Sequence, residues 1–324
     1  MQQEQVVKRF EDILKIFAKY EEKTKMNFSF MMNVWLSSFE KEDTEEAFIS
    51  FCDDLYEKLM QSDLTKEDKR KLWQYLMVRL QQQENAPNLM MTPDVVCIFM
   101  SYLIQRFTEK NPITSIMDPA IGTGNLLTAV LNGFSKLPEE GIYGIDISKQ
   151  SLKYCVVNAE LQGTSIELIC GDYLVTAMPA VHTVVCDLPI GYYPNEEVCG
   201  FFQLSRTETM SYSHELYIEK ILSHIMPGGY MFLLIPNHLF EKDHTKALHR
   251  FILKHAYIYG LLQLPNDLFQ KEIDQKSIFV LRKKGDGVNP LKQMMMVQIP
   301  SFQKEEGFQN ILVQMNQWFK EQLK

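Results

Sequence analysis

The stretch Asp118-Pro119-Ala120-Ile121-Gly122-Thr123-Gly124 follows an apolar run at Ile113, Ile116 and Met117 and precedes apolar residues at helical spacing. This order predicts a strand that ends in an acid, then a glycine turn, then a helix. The two glycines let the backbone pass close to a ligand where a side chain would collide. The Asp118 carboxylate can bind an ammonium group of that ligand, which a loop built only for phosphate would not need. The stretch therefore favours S-adenosylmethionine (AdoMet) as the ligand.

A dinucleotide is the alternative ligand for a glycine turn at this position. The dinucleotide fingerprint needs a third glycine, in the pattern G-x-G-x-x-G. Here the pattern begins with Gly122 and Gly124, but Leu127 stands where the third glycine is required. The sequence therefore argues against a nicotinamide enzyme.

Four acids follow successive predicted strands: Asp118, Asp146, Asp172 and Asp187. In open α/β sheets, ligands bind at the carboxyl ends of the strands. Asp146 lies roughly twenty residues beyond the glycine turn, where an acid binds ribose hydroxyls. Asp172 can accept a hydrogen bond from an adenine amino group, and Thr92 can close over the methionine end. Helix N-capping is the alternative role for Asp146 and for Asp172.

The composition is that of an ordinary globular protein of 324 residues, with 46% apolar residues and a net charge of −8. This length suffices for a large domain and a smaller one, and the acidic surface does not attract nucleic acid as a whole. The six cysteines include no C-x-x-C pair, which predicts small buried hydrophobes in a reducing compartment and no metal site. We find no signal-peptide core and no membrane-spanning run, and we expect a cytoplasmic protein.

The sequence pattern changes from helical spacing to alternating strands and helices, which predicts two domains. They are a helical N-terminal domain (residues 1–88) and an α/β domain (residues 89–324). In the second domain, seven strand candidates alternate with helices, which predicts a doubly wound α/β sheet. The last two candidates are expected to form an antiparallel hairpin at the sheet edge. Residues 311–323 predict an amphipathic helix, which we expect to dock on this domain; binding of a partner is the alternative. The seven candidates are residues 116–118, 142–146, 166–172, 183–187, 230–236, 257–264 and 277–281.

Several segments together resemble the N6-adenine DNA methyltransferases, and specifically the methylation subunits of type I restriction systems. The resemblance covers roughly residues 89–285, and it includes the cofactor loop with Ile121 where cysteine is usual. The matching segments are Thr92-Pro93-Asp94-Val95-Val96, Asp118 to Gly124, Asn158 to Gly163, His214 to Phe240, Leu264-Pro265 and Ser277 to Leu281.

The resemblance implies a Rossmann-like class I AdoMet-dependent methyltransferase sheet of seven strands, the last one antiparallel, with an N-terminal helical domain. It also implies AdoMet as cofactor, DNA as substrate, and a separate subunit that supplies sequence specificity. The implied cofactor-binding residues are Thr92, Asp118, Ala120, Gly122, Thr123, Gly124, Asn125, Asp146, Ile147, Asp172, Tyr173 and Asp187.

The catalytic segment departs from the family pattern, which ends the fourth strand with Asn/Asp-Pro-Pro-aromatic. Here the residues are Asp187-Leu188-Pro189-Ile190. The lone pair of the adenine amine is delocalised into the ring, and two acceptors for its hydrogens can localise it toward the methyl group. Asp187 offers a side-chain acceptor and Leu188 a carbonyl, whose backbone the following Pro189 biases to extended values. Ile190 cannot stack on a base, whereas Tyr192 or Tyr193 can.

Three functions therefore stay open at this stage. The first is methyl transfer to the exocyclic amine of adenine in DNA, with Asp187, Leu188, Pro189 and Tyr192 as catalytic residues. The second is methyl transfer to an amide or amine of RNA or protein. The third is an AdoMet-binding sensor or interaction protein without turnover, for which the divergent motif is the argument. A modest basic cluster, namely Lys276, Arg282, Lys283 and Lys284, can contact phosphate.

Overall fold

The computed structural model describes residues 2–39, 46–61, 63–84, 91–206, 208–240 and 246–323. Four helices form the N-terminal region, and their amphipathic faces enclose an apolar core that includes Phe17, Trp35, Phe51 and Trp73. The predicted domain boundary after residue 88 lies outside the described residues. The four helices are α1 (Gln2–Thr24), α2 (Phe28–Phe39), α3 (Glu46–Leu59) and α4 (Lys66–Glu84).

The rest of the described chain forms a single eight-stranded sheet with the order β3-β2-β1-β4-β5-β7-β6-β8. Strands β1 to β5 run parallel, whereas β7 is antiparallel to both of its neighbours. The strands are β1 (Ser115–Asp118), β2 (Gly141–Asp146), β3 (Glu167–Cys170), β4 (Val181–Asp187), β5 (Ile225–Pro236), β6 (Ala256–Gln263), β7 (Lys276–Lys283) and β8 (Met295–Gln298).

Helices cover both faces of this sheet. Side chains alternate between the faces, so Phe232 on β5 packs beneath one layer while Leu233 packs beneath the other. None of the helices in the described ranges is long and apolar enough to cross a membrane. The helices are α5 (Asp94–Thr108), α6 (Asn125–Asn132), α7 (Lys149–Leu161), α8 (Glu196–Cys199), α9 (Ser213–His224), α10 (Lys246–His255) and α11 (Glu305–Gln322).

Two details of the sequence prediction were wrong. The sheet has eight strands rather than seven, because Met295–Gln298 adds a strand parallel to β6 and forms the edge. The hairpin of β6 and β7 is antiparallel as expected, but β8 lies beyond β6, so the hairpin is one strand away from the edge. In addition, Cys170 is exposed because it ends the edge strand β3, whereas the other five cysteines are buried.

The helical N-terminal region packs directly against helices of the sheet domain. Tyr154, Val157 and Leu161 on α7 belong to the same apolar cluster as the N-terminal helices. At the other end of the chain, Phe319 on α11 packs against Phe107 on α5, with ring centroids 5.0 Å apart. The C-terminal helix therefore docks on the sheet domain.

Candidate active site

Strands β2 and β3 are added on one side of β1, whereas β4 and β5 are added on its other side, so the strand order reverses between β1 and β4 although the two strands are parallel neighbours. In doubly wound sheets, a ligand crevice forms at this switch point, beyond the carboxyl ends of the strands. Asp118 ends β1 and Asp187 ends β4, so these two acids flank the crevice. Asp146 ends β2, and Asp172 follows β3 by two residues. The four predicted acids thus lie together at the carboxyl ends of the parallel strands.

Asp118 is the most deeply buried of these acids, with 1% of its surface exposed. Its Oδ1 accepts a hydrogen bond from the backbone N–H of Ala120 at 3.1 Å. Burial raises the pKa of the Asp118 carboxyl to about 8, and the nearby carboxylates of Asp146 and Asp187 act in the same direction. A cationic ligand group beside Asp118 would favour its ionised form.

The glycine turn is held by its neighbours on the adjacent strand and helix. The backbone N–H of Gly122 donates to Oδ2 of Asp146 at 2.8 Å, and the other oxygen of Asp146 accepts from the backbone of Ser148. Thr123 is buried, and its carbonyl accepts from the amide of Asn158 at 3.1 Å. The turn and the β2 acid therefore form one rigid unit.

The two glycines have different structural roles. Both have positive φ, +53° for Gly122 and +76° for Gly124. A Cβ on Gly124 would come within 2.6 Å of Sγ of Cys155, so this position needs glycine for packing against α7. A Cβ on Gly122 would meet nothing within 4 Å, so the space above this residue is open. That open space, beside buried Asp118, fits the close approach of AdoMet.

Asn125 begins α6, and its side chain is engaged by the protein itself. Its Oδ1 accepts hydrogen bonds from Arg70 at 2.9 Å and from Gln74 at 2.6 Å. Its Nδ2 donates to the carbonyl of Thr92 at 2.8 Å. The side chain of Asn125 therefore connects the glycine turn to α4 and to Thr92, two residues before α5, and a contact of this residue with the cofactor stays a prediction.

The third-strand acid Asp172 is tied to the segment after β4. Its Oδ1 accepts from the backbone of Leu174 at 2.9 Å, and its Oδ2 accepts from the hydroxyl of Tyr193. Tyr173 is 1% exposed and packs against Tyr217, so only its backbone can meet a ligand in the crevice. Ile147, by contrast, is 76% exposed beyond the end of β2 and can cover an adenine ring.

Asp187 is held in place on both sides. Oγ1 of Thr92 donates to its Oδ2 at 3.0 Å, and Nζ of Lys276 donates to its Oδ1 at 2.5 Å. A carboxylate offers about four lone-pair sites, so Asp187 can still accept from a substrate amine. The side chain of the next residue, Leu188, is 2% exposed, and its backbone N–H donates to the carbonyl of Leu234 at 3.3 Å. The backbone after Asp187 is therefore fixed to β5.

The segment after Asp187 presents an aromatic surface that the sequence motif only partly indicated. Tyr192 is 55% exposed, and its ring stacks on Tyr212 with centroids 4.7 Å apart. The guanidinium of Arg206 lies 4.3 Å from the centroid of the same Tyr212 ring, and Ile190 is 47% exposed nearby in sequence. This surface can stack against a planar group.

Sequence reasoning missed three contributors to this site, because their partners are distant in the chain. Lys276 was assigned to a phosphate-binding cluster with residues 282–284, but it begins β7 while those residues lie at the opposite end of the strand. Tyr212 and Arg206 lie outside all of the sequence motifs described above. The described residues contain no group of three or more His, Cys, Asp or Glu side chains able to hold a metal ion.

Comparison with known proteins agrees with this geometry. Residues 71–321 match the family model described as N-6 DNA Methylase. The uncharacterized protein YtxK of Bacillus subtilis (strain 168) is 38% identical over 254 residues, which are 78% of this chain and 77% of YtxK. A crystal structure from Listeria monocytogenes, provisionally described as a class I AdoMet-dependent methyltransferase, has a TM-score of 0.82 at 29% identity. That match covers 97% of this chain and 99% of the Listeria chain.

A more distant likeness shows the fold alone. The methyltransferase subunit of a type I restriction-modification system from Streptococcus thermophilus has a TM-score of 0.60 at 15% identity. The match covers 86% of this chain but 63% of that subunit, which is the longer protein.

Proposed function

The chain belongs to the N-6 DNA methylase family, and from this premise we propose that it transfers a methyl group from AdoMet to the exocyclic amine of adenine in DNA. The family and the class I methyltransferase fold support methyltransferase activity with AdoMet as cofactor. The choice of adenine in DNA is our proposal. The observation that carries it is the position of Asp187, held between Thr92 and Lys276 at the switch point, beside buried Asp118.

The residues of the crevice fit AdoMet by the chemistry of their donors and acceptors. Asp118 would bind the ammonium group, Asp146 the ribose hydroxyls, and Asp172 the adenine amine. The open space at Gly122 admits the ligand close to the backbone, and exposed Ile147 would cover the adenine ring. When bound, AdoMet supplies an electrophilic methyl group on a positively charged sulfur.

Asp187 and Leu188 would act on the substrate amine. The Asp187 carboxylate accepts one N–H of the amine and the Leu188 carbonyl accepts the other, which localises the nitrogen lone pair toward the methyl group. The carboxylate also stabilises the positive charge that develops on the nitrogen. Tyr192, stacked on Tyr212, offers a surface for the base that the family aromatic residue would otherwise contact.

Two further proposals concern the surroundings of this reaction. We propose that a separate subunit supplies DNA sequence specificity, which the similarity to a type I methyltransferase subunit supports. We also propose a cytoplasmic location, which accords with six cysteines that form no disulfide.

A second candidate function is AdoMet binding without turnover. The ion pair between Lys276 and Asp187 favours it, because the ammonium group partly neutralises the proposed acceptor. The hydrogen bond from Tyr193 to Asp172 favours it as well, because it engages the proposed acceptor for the adenine amine.

Labelled methyl transfer to DNA, RNA and cell protein tests the proposal, together with calorimetric AdoMet binding. We expect transfer to DNA, and we expect Asp187→Ala to reduce it by about 10²–10³-fold while AdoMet still binds. Since Asp187→Ala leaves Lys276 without its partner, the double variant Asp187→Ala/Lys276→Ala serves as a second measurement. Transfer that persists in both variants would contradict the role of Asp187. Tight AdoMet binding with no transfer to any substrate would favour the second candidate.

A further inference from the structure

A cavity separate from the AdoMet crevice lies at the other end of the parallel strands, away from the four acids. Its volume is about 570 Å³, and its walls come from the end of α5, the loop at 287–291 and the end of α11. Tyr230 on β5 pairs with Arg282 near the end of β7 and, on its other side, with Thr183 near the start of β4, which places it at this end of the sheet. Cavities of about 300–1,000 Å³ hold small molecules in proteins. The cavity is therefore large enough for a ligand of nucleotide size.

The cavity is cationic although the whole chain is acidic. Arg106, Lys110, Arg282 and Lys320 line it together with a single acid, Glu109, whereas the whole chain has a net charge of −8. Glu109 pairs with Arg106 at 3.0 Å and is itself 66% exposed. Among the described residues, no carboxylate forms an ion pair with Lys110, Arg282 or Lys320. Three positive charges thus face one cavity without a compensating acid.

Arg282 is held rigidly in the cavity wall. Its guanidinium lies 4.8 Å from the ring centroid of Tyr230 and 5.8 Å from that of Tyr259. Its Nε donates to the carbonyl of Gly228 at 3.1 Å, and its Nη1 donates to the hydroxyl of Tyr259 at 3.3 Å. An arginine has five N–H donors, so three remain for a ligand. Because the side chain is already ordered, binding costs little additional entropy.

Arg106 adds a second guanidinium beside the same aromatic cluster. It lies 5.3 Å from the ring centroid of Phe319, which in turn contacts Phe107 beneath the cavity. The Nε atom of Arg106 is buried without a hydrogen-bond partner in the described structure. Lys110 and Lys320 are exposed at the rim. Two half-buried arginines with lysines at the rim match the chemistry of phosphate binding.

We propose that this cavity binds a phosphate-bearing small molecule, with Arg282 and Arg106 as its principal contacts. The site is separate from the AdoMet crevice and does not depend on the proposed methyl transfer. A nucleotide and an inorganic polyphosphate both carry a phosphate group, and the rings of Tyr230 and Tyr259, which are 3% and 1% exposed beside Arg282, offer little surface for a base. The shared chemistry is the phosphate group, and the choice of probes separates the two sources.

Calorimetry with the full chain tests the proposal, with pyrophosphate, uridine diphosphate and uridine as probes. Saturating S-adenosylhomocysteine is present throughout to close the AdoMet crevice. We expect both phosphate compounds to bind and uridine not to bind. Tighter binding of uridine diphosphate than of pyrophosphate would assign a nucleotide, and equal affinity an inorganic polyphosphate. No binding of either compound, or equal binding of uridine, would overturn the proposal.

Variants locate the binding. We expect Arg282→Gln to weaken binding of uridine diphosphate by about tenfold, since it removes a charge-assisted contact. Because Arg282 also packs on two tyrosines, the exposed double variant Lys110→Gln/Lys320→Gln provides a second measurement that leaves the core intact. The matched control is Arg250→Gln/Lys254→Gln, which removes two exposed charges from α10. Equal affinity of wild type, Arg282→Gln and the rim variant would overturn the proposal.

Discussion

The carboxyl group of Asp118 is buried at the end of β1, so its protonation is coupled to cofactor binding. Burial raises the pKa of its carboxyl to about 8, so at neutral pH the free protein holds this group mostly protonated. Its ordinary pKa is 3.8. Between these two values the folded state binds more protons than the unfolded state, so this group's contribution to stability falls as pH rises from about 4 to about 8. A bound ammonium group would lower the pKa of the Asp118 carboxyl and so favour its ionised form.

We therefore expect AdoMet binding to release a proton from Asp118 near pH 7. The affinity should rise between pH 6 and about pH 8, by at most about tenfold per pH unit, and fall at higher pH, because the α-ammonium group of free AdoMet then loses its proton. Calorimetry in two buffers with different ionisation enthalpies measures the released proton directly. Asp118→Asn should bind more weakly and show a much flatter pH dependence over this range. A wild-type affinity that does not change from pH 6 to pH 8 would contradict the role of Asp118.

Helix α4 is the element that connects the helical region to the cofactor turn. Arg70 on this helix is completely buried, and it forms ion pairs with Glu67 and with Asp94 at the start of α5. Burial alone would lower the pKa of its guanidinium, but the two carboxylates more than offset this and raise it. Arg70 also donates to Asn125 at the start of α6. One side chain thus joins three helices next to the glycine turn.

Removal of this connection should affect both stability and binding. We expect Arg70→Ala to reduce the free energy of unfolding by about 3 kcal/mol, near the low end for a buried pair, because both carboxylates are 35% exposed. We also expect weaker AdoMet binding in the folded fraction, because Asn125 loses a contact that positions the turn. Lys71→Ala is the control, since it removes a positive charge from the adjacent residue of α4. Urea unfolding and calorimetry measure both effects, and equal behaviour of the two variants would contradict this role.

The sequence indicated the elements more fully than the contacts between them. Seven strands and the C-terminal helix were predictable because their apolar patterns and turn residues are local signals. Strand β8 was not: β1 and β3 are equally short, but an acid marks the end of each, whereas Met295–Gln298 contains two methionines, which favour strands little, and no acid follows it. The acids of the crevice could be placed because each follows its own strand. Lys276 could not be paired with Asp187, because 89 residues separate them and only the position of β7 brings them together.

At the scale of the whole molecule, the helical region and the sheet domain share buried surface. The apolar cluster of the N-terminal helices includes Tyr154, Val157 and Leu161 from α7 of the sheet domain. Trp73 on α4 lies 6.4 Å from Tyr154 between ring centroids, and the Arg70 network lies beside this contact along α4. The predicted boundary at residue 88 therefore marks a change in sequence pattern, from helical spacing to alternating strands and helices. We propose that it does not separate two independently stable units.

The three tryptophans can test this proposal, because they lie in different parts of the fold. Trp35 and Trp73 are 1% exposed in the N-terminal core, and Trp318 on α11 packs against Phe107 in the sheet domain. The variant Trp35→Phe/Trp73→Phe leaves one probe in the sheet domain, and Trp318→Phe leaves two in the helical region. Within each variant, we expect the urea midpoint from fluorescence to coincide with the midpoint from far-ultraviolet circular dichroism, as cooperative unfolding requires. If the helical region unfolded first, fluorescence would precede the dichroism signal in Trp318→Phe and follow it in the double variant, because each retained probe would then report on a separate transition.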